Sequence, residues 1–134
     1  GKRAHAVPLS DLAMERFRAA FNRSGGAIAF PDRSGEAPLE GKRLTRAMGR
    51  SCKLIGIEHA SPHDLRRTGR TMLTSERIGV GYEVAERVIA HLVGSAVSRV
   101  YDRNEYLREK RAALVAWSAD LGEMCGRTTA VQTN

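Results

Sequence analysis

Glycine and proline cut this chain into windows in which apolar residues recur every three or four positions. That spacing commits it to short amphipathic helices rather than to a sheet. Ser10 is a good N-cap for a helix over about 11–22, whose apolar face is Ala13, Phe17, Ala20 and Phe21, and Ser24-Gly25-Gly26 ends it. Pro31, Gly35 and Pro38 mark 27–38 as a loop. A second helix over about 40–54 carries Leu44, Ala47, Met48 and Leu54, and Gly56 closes it. Ser61 as N-cap and Pro62 as first helical residue begin a third, reaching about Arg77 before Gly79 and Gly81 break it. A fourth covers 82–91 with Val84, Val88 and Ile89 inward. A long helix over about 97–121 follows, with the stripe Val97, Val100, Leu107, Leu114, Trp117 and Leu121 and a break near 102–104. Residues 3–9 read as a short edge strand, since Pro8 cannot donate to a central ladder. The expected fold is mainly α with a small β-hairpin remnant at its start, and the residues from Cys125 onward look frayed.

Charge narrows the function. In 134 residues, 22 Lys and Arg face 15 Asp and Glu, a net charge of +7, which favours a polyanionic partner and most simply nucleic acid. With 42% hydrophobic residues the chain can bury a modest core, and wholesale disorder is not expected. It has no run of 18 apolar residues, so a membrane partner is not expected, and its first residues do not form a signal sequence. Cys52 and Cys125 lie 73 residues apart with no metal-type spacing, which reads as two reduced thiols in a cytoplasmic protein. His59 and His63 are four apart, but Pro62 between them argues against one helix presenting both to a metal.

The chemistry concentrates in Pro62-His63-Asp64-Leu65-Arg66-Arg67-Thr68. His63 and Arg66, three apart, project from one face of the third helix near its N-terminus. An imidazole, a guanidinium and unpaired N–H groups at the positive end of a helix dipole would make a phosphate cradle; a solvated basic first turn explains them about equally well. Arg67 points some 100° away and reads as a backbone-contacting or salt-bridge residue. Arg70 shares the His63–Arg66 face and reads by default as a solvated charge. His91 follows in Ile89-Ala90-His91-Leu92, and Tyr101 stands ten residues further on, in Val100-Tyr101-Asp102-Arg103. Alone, such a histidine is more often a C-terminal dipole partner, and such a tyrosine half-buried packing.

The order His-x-x-Arg, Ala-His-Leu, Tyr resembles the tyrosine recombinases, the phage integrase family. The resemblance covers most of the chain, from His5-Ala6-Val7-Pro8-Leu9-Ser10 through Glu86-Arg87-Val88-Ile89-Ala90-His91 to Trp117. It implies that Tyr101 is the nucleophile, giving a 3′-phosphotyrosyl link and a free 5′-hydroxyl whose rejoining needs no ATP. It implies that Arg66 clamps the non-bridging oxygens, and that His63 and His91 donate hydrogen bonds to the scissile phosphate, one of them able to take the tyrosine proton. Tyr106 would be structural. No metal or other cofactor is expected. The expected partner is double-stranded DNA at attachment sites, with a homo-tetramer on DNA. Nothing in 1–60 resembles the setting of the family's first arginine, and Lys2 is the candidate for its hairpin lysine. The chain is therefore expected to be an N-terminally truncated part of a catalytic domain, 1–124, with a flexible tail over 125–134; the residues after about 121 would pack on a neighbouring protomer.

Two other readings share some of these features. A non-catalytic helical DNA-binding regulator accounts for the charge and arginines but not for His91 and Tyr101 at their spacing. A type IB topoisomerase relative shares the chemistry, against which the Trp117 tail and short length argue.

Overall fold

In a computed structural model of the chain, residues 5–25, 27–91 and 105–131 are described, side chains being described as far as 126. Among the described residues five helices follow one another: α1 (Asp11–Ser24), α2 (Gly41–Ile55), α3 (Pro62–Leu73), α4 (Tyr82–Val88) and α5 (Leu107–Val131). The fold is mainly helical, as its apolar spacing requires. The strand expected over 3–9 has no ladder among the described residues: 5–10 lack regular structure, and the β-pairing is an isolated antiparallel bridge between Pro31 and Pro38. The chain divides into two compact units, one of Gly1–Leu12 with Gly69–Asn134 and one of Ala13–Thr68.

Within Ala13–Thr68, Ala20 and Cys52 are buried, and the Phe17 and Phe30 rings meet edge to face with centroids 5.8 Å apart. The loop after α1 is closed by Asp32. Its Oδ1 accepts hydrogen bonds from the Ser34 hydroxyl at 2.6 Å and from the N–H groups of Ser34 and Gly35 at 3.0 and 3.1 Å. Such a turn supplies backbone donors with a local acceptor, and Gly35 takes the left-handed φ of 82° it needs. Gly56, at φ 70°, ends α2 in the same way. Of the apolar residues expected on α2, Ala47 and Met48 are half-buried while Leu44 and Leu54 are exposed; the helix instead buries Cys52.

Within the other unit, Leu73, Ala85 and Ala113 form the buried core, flanked by Ile78, Val80, Val84, Val88 and Trp117. α3 ends at Leu73, four residues short of the expected Arg77. The reason is turn chemistry. The Ser75 hydroxyl donates to Met72 O at 2.6 Å, Gly79 N–H to Ser75 O at 2.7 Å and Val80 N–H to Leu73 O at 2.9 Å. The last carbonyls of α3 thus find partners outside the helix. α4 ends at Val88 rather than 91 because the chain turns left-handed at Ala90, φ 57°.

Of the stripe expected on α5, Trp117 packs against the core and Leu114 and Leu121 are half-buried, while Leu107 is exposed. The fully buried residues lie beside that stripe and are Lys110, Ala113 and Asp120. The two charges are paired. Lys110 Nζ donates to Ala6 O at 2.5 Å, and Asp120 pairs with Arg77, which also donates to Glu123 at 2.8 Å. Ser118 shares a hydrogen bond with the buried Ser10, which precedes α1. α5 continues to Val131 and so includes part of the segment expected to fray. The expected helical residues 97–104 lie outside the described residues.

Leu73, 2% exposed, is the largest side chain in this core. Leu73→Ala should lower the free energy of unfolding by about 2–5 kcal/mol, read from urea denaturation. A loss below about 1 kcal/mol would mean that the cluster is not a packed core.

Candidate active site

The first turn of α3 is built by a reciprocal cap. Ser61 Oγ accepts the Asp64 N–H at 3.3 Å, while the Ser61 hydroxyl and N–H donate to Asp64 Oδ2 at 2.6 and 2.9 Å. Those bonds, chiefly the hydroxyl, hold the Asp64 carboxyl below the usual range. Pro62 has no N–H to satisfy, and Leu65 N–H reaches Ser61 O at 3.2 Å. The open donors expected at this helix end are therefore largely engaged, and a carboxylate occupies the positive pole. What the turn offers an anion is its side chains: His63 and Arg66, both exposed and one turn apart. Arg67 leans towards Asp64 at 3.7 Å, an exposed i,i+3 pair of small energetic weight.

His91 is held in a different way. Ile89 caps α4 and Ala90 is left-handed, so Ala90 N–H bonds Arg87 O at 3.2 Å and His91 N–H bonds Glu86 O at 2.9 Å. This is the Schellman arrangement, and it returns the chain across the last turn of α4. The His91 ring lands on the same residue as its backbone: Nδ1 lies 2.6 Å from Glu86 Oε2. The Glu86 side chain is 8% exposed and that of His91 58%. His91 thus sits just past the helix and turns back onto it.

Glu86 has a second partner. Arg70 Nε donates to Glu86 Oε1 at 2.7 Å, and the Arg70 guanidinium lies 5.1 Å from the centre of the Tyr82 ring. Arg70 is therefore not a solvated charge; its side chain is two-thirds buried and tied to α4. Pairing with Arg70 first, and with His91 after it, holds Glu86 below the usual carboxylate range, and Glu86 in turn raises Arg70. Neither residue stands out in the sequence, where they are 16 positions apart. No local pattern marks the pair, since Val84, Ala85 and Glu86 are consecutive and point in different directions around α4. Tyr106, left-handed at φ 52°, packs under Arg87, whose guanidinium lies 4.0 Å from the ring centre.

His63 and Arg66 belong to one unit and His91, Glu86 and Arg70 to the other. Tyr101 and Lys2 lie outside the described residues. Ala13–Thr68 also carries a basic hollow lined by Arg33, Arg43, Arg46 and Arg50 beside Asp32, Pro31 and Leu39. No carboxylate of the described residues pairs with Arg43, Arg46 or Arg50. Both cysteines are free thiols, Cys52 buried and Cys125 exposed. Among the described residues no three His, Cys, Asp or Glu converge as a metal site, and no helix is long and apolar enough to cross a membrane.

Comparison with known proteins agrees with the motif order. The chain is 35% identical over 121 residues to prophage integrase IntA of Escherichia coli K12, covering 89% of this chain and 28% of that protein. It is 34% identical over 115 residues to prophage integrase IntZ of the same strain, covering 84% of this chain and 27% of that one. Across this stretch the chain is similar in sequence to both of these prophage integrases. It spans less than a third of the length of these curated relatives. No family model and no solved structure matches it.

Two outcomes follow from the Glu86–Ala90–His91 turn. Ala90→Gly removes a Cβ from a left-handed residue, and should stabilise the protein by about 0.5–1 kcal/mol after the added chain entropy is counted, seen as a higher thermal midpoint. An unchanged or lower midpoint would show that the turn is not strained. Glu86 titrates lower in the folded state than in the unfolded one. Its contribution is therefore complete above about pH 4.3, the unfolded value, and is lost as pH falls through the folded one. Thermal midpoints measured between about pH 5 and pH 2 should fall less steeply in Glu86→Gln than in the parent. Parallel curves would show that the carboxylate is not paired.

Proposed function

We propose that this chain is the C-terminal part of the catalytic domain of a prophage integrase of the tyrosine recombinase type. Such an enzyme cuts and rejoins double-stranded DNA at attachment sites through a 3′-phosphotyrosyl intermediate. The observation that carries the reading is that a chain similar to prophage integrases presents two exposed histidines in differently built settings. His63 and Arg66 project from the first turns of α3, and His91 is braced on Glu86 just past α4.

In this reading Tyr101 Oη attacks the scissile phosphorus. The Oη–P bond forms, the P–O5′ bond breaks, the tyrosine gives up its proton and the 5′-oxygen gains one. Arg66 and His63 hold the non-bridging oxygens, whose charge grows in the transition state. The energy of the broken ester is kept in the phosphotyrosine, so a second 5′-hydroxyl reverses the step on a new partner strand. Arg43, Arg46 and Arg50 offer exposed cations to flanking phosphates. Four protomers on two DNA sites would complete the exchange, with the tail after about 121 packing on a neighbour. The boundary between catalytic domain and tail is placed near 124.

The test uses the full-length integrase with nicked DNA carrying its own attachment junction. A protease-sensitive protein–DNA adduct should persist on a denaturing gel and vanish in Tyr101→Phe. Retention of the adduct in that variant would move the nucleophile elsewhere, with Tyr106 next. DNA binding with no adduct from the parent protein would favour the non-catalytic regulator.

A further inference from the structure

We infer that Glu86 is a positioning residue that makes His91 a proton acceptor at Nε2, rather than a neutral hydrogen-bond donor to phosphate. The inference rests on the recombinase reading for its catalytic meaning, but its structural part stands on the hydrogen-bond geometry alone.

An ionised carboxylate can only accept hydrogen bonds. Glu86 is held in that form by its pairing with Arg70, whose Nε donates to Oε1 at 2.7 Å, and its side chain is 8% exposed. The other oxygen, Oε2, lies 2.6 Å from His91 Nδ1. Nδ1 must therefore carry a proton. A neutral imidazole has one N–H, so its Nε2 then presents a lone pair. The Schellman turn fixes the ring that bears it, because the His91 N–H is bonded to the carbonyl of the same Glu86 at 2.9 Å. The imidazole is thus held by main chain and side chain to one residue, while more than half of its side chain remains exposed.

This arrangement divides the work between the two histidines. When a tyrosine hydroxyl attacks phosphorus, the proton released as the O–P bond forms has a defined destination at His91 Nε2. The imidazolium so formed is offset by Glu86, as in a carboxylate–imidazole pair acting on a hydroxyl. The ring then has Nε2–H to offer the phosphate or to return when the bond re-forms. The leaving 5′-oxygen takes its proton from water or from the family's lysine, so the proton count closes. Arg70 enters as the partner that keeps the carboxylate ionised and aimed, without touching DNA.

Glu86→Gln separates positioning from mere packing. A glutamine keeps the shape but has one oxygen and one NH₂. With the oxygen taken by Arg70 Nε, the NH₂ faces His91 Nδ1, which must then accept, and the ring proton moves to Nε2. The decisive measurement is long-range ¹H–¹⁵N correlation on the chain labelled in its histidines, above the imidazole titration, with the His91 signals assigned from His91→Gln. The parent should show Nδ1–H with an unprotonated Nε2, and Glu86→Gln should show the reverse. An Nε2–H ring in the parent overturns the inference whether or not the variant folds, and so does the same tautomer in both.

In the full-length integrase, Glu86→Gln should slow adduct formation by about 10²-fold or more with DNA affinity unchanged. Unchanged adduct formation would remove the role in catalysis. Failure of the parent to form any adduct would instead count against the recombinase reading, leaving the tautomer result to stand on its own.

Discussion

A buried carboxylate governs the end of α4. Taking an ionised glutamate out of water costs several kcal/mol unless its oxygens are hydrogen-bonded and its charge is offset. Glu86 meets both demands with one oxygen for Arg70 and the other for His91. The consequences run outward from that pair. Arg70 is drawn onto α4 and against Tyr82, so the last part of α3 and the start of α4 are linked by charge above the small apolar cluster of Leu73 and Ala85. His91 is drawn back over the helix it follows, and Ala90 accepts a left-handed backbone to allow it. Removing either partner would leave a buried charge half satisfied, which is more damaging than never having placed one there.

The same logic recurs on α5. A helix that buries Lys110, Ala113 and Asp120 cannot be held by the hydrophobic effect alone. Its charged positions are fastened instead, Lys110 to the Ala6 carbonyl and Asp120 to Arg77. Ala113 at the centre lets α4 come close, and Trp117 packs beside it. The hydrocarbon stem of Lys110 adds apolar contact along its length. Specific polar partners thus replace a broad apolar stripe, at the cost of requiring every one of them.

That substitution explains what could be read from the sequence and what could not. Ser61-Pro62 and Gly56 marked true boundaries because their effects are local, a cap and a left-handed turn. α3 and α4 end earlier than their apolar spacing implies because Ser75 and Ala90 act through hydrogen bonds to carbonyls that periodicity does not register. The apolar stripe of α5 points to Trp117 but not to its buried neighbours Lys110 and Asp120, because a lysine and an aspartate are poor candidates for an interior until their partners, about a hundred and about forty residues away, are known. Motif order singles out His63, Arg66 and His91 as candidates. It does not reach Arg70 and Glu86, because a pair 16 residues apart on two helices has no sequence signature.

One helix therefore carries two arginines in different settings, one of them set by a buried carboxylate. Arg66 and Arg70 are four residues apart on α3 and chemically identical. Arg70 has its Nε committed to Glu86 and its plane set near Tyr82, which removes it as a phosphate clamp and makes it a strut. Arg66 remains exposed beside His63, with the planar fork that suits two oxygens of a phosphodiester. The histidines divide on the same principle. His63 lies in a turn whose acid, Asp64, is occupied with Ser61, whereas His91 has a buried acid against its Nδ1. A carboxylate placed behind an imidazole fixes which ring nitrogen carries the proton, and one turned aside into a helix cap does not. The chemistry open to each basic side chain is thus set less by its identity than by which acid the fold has assigned to it.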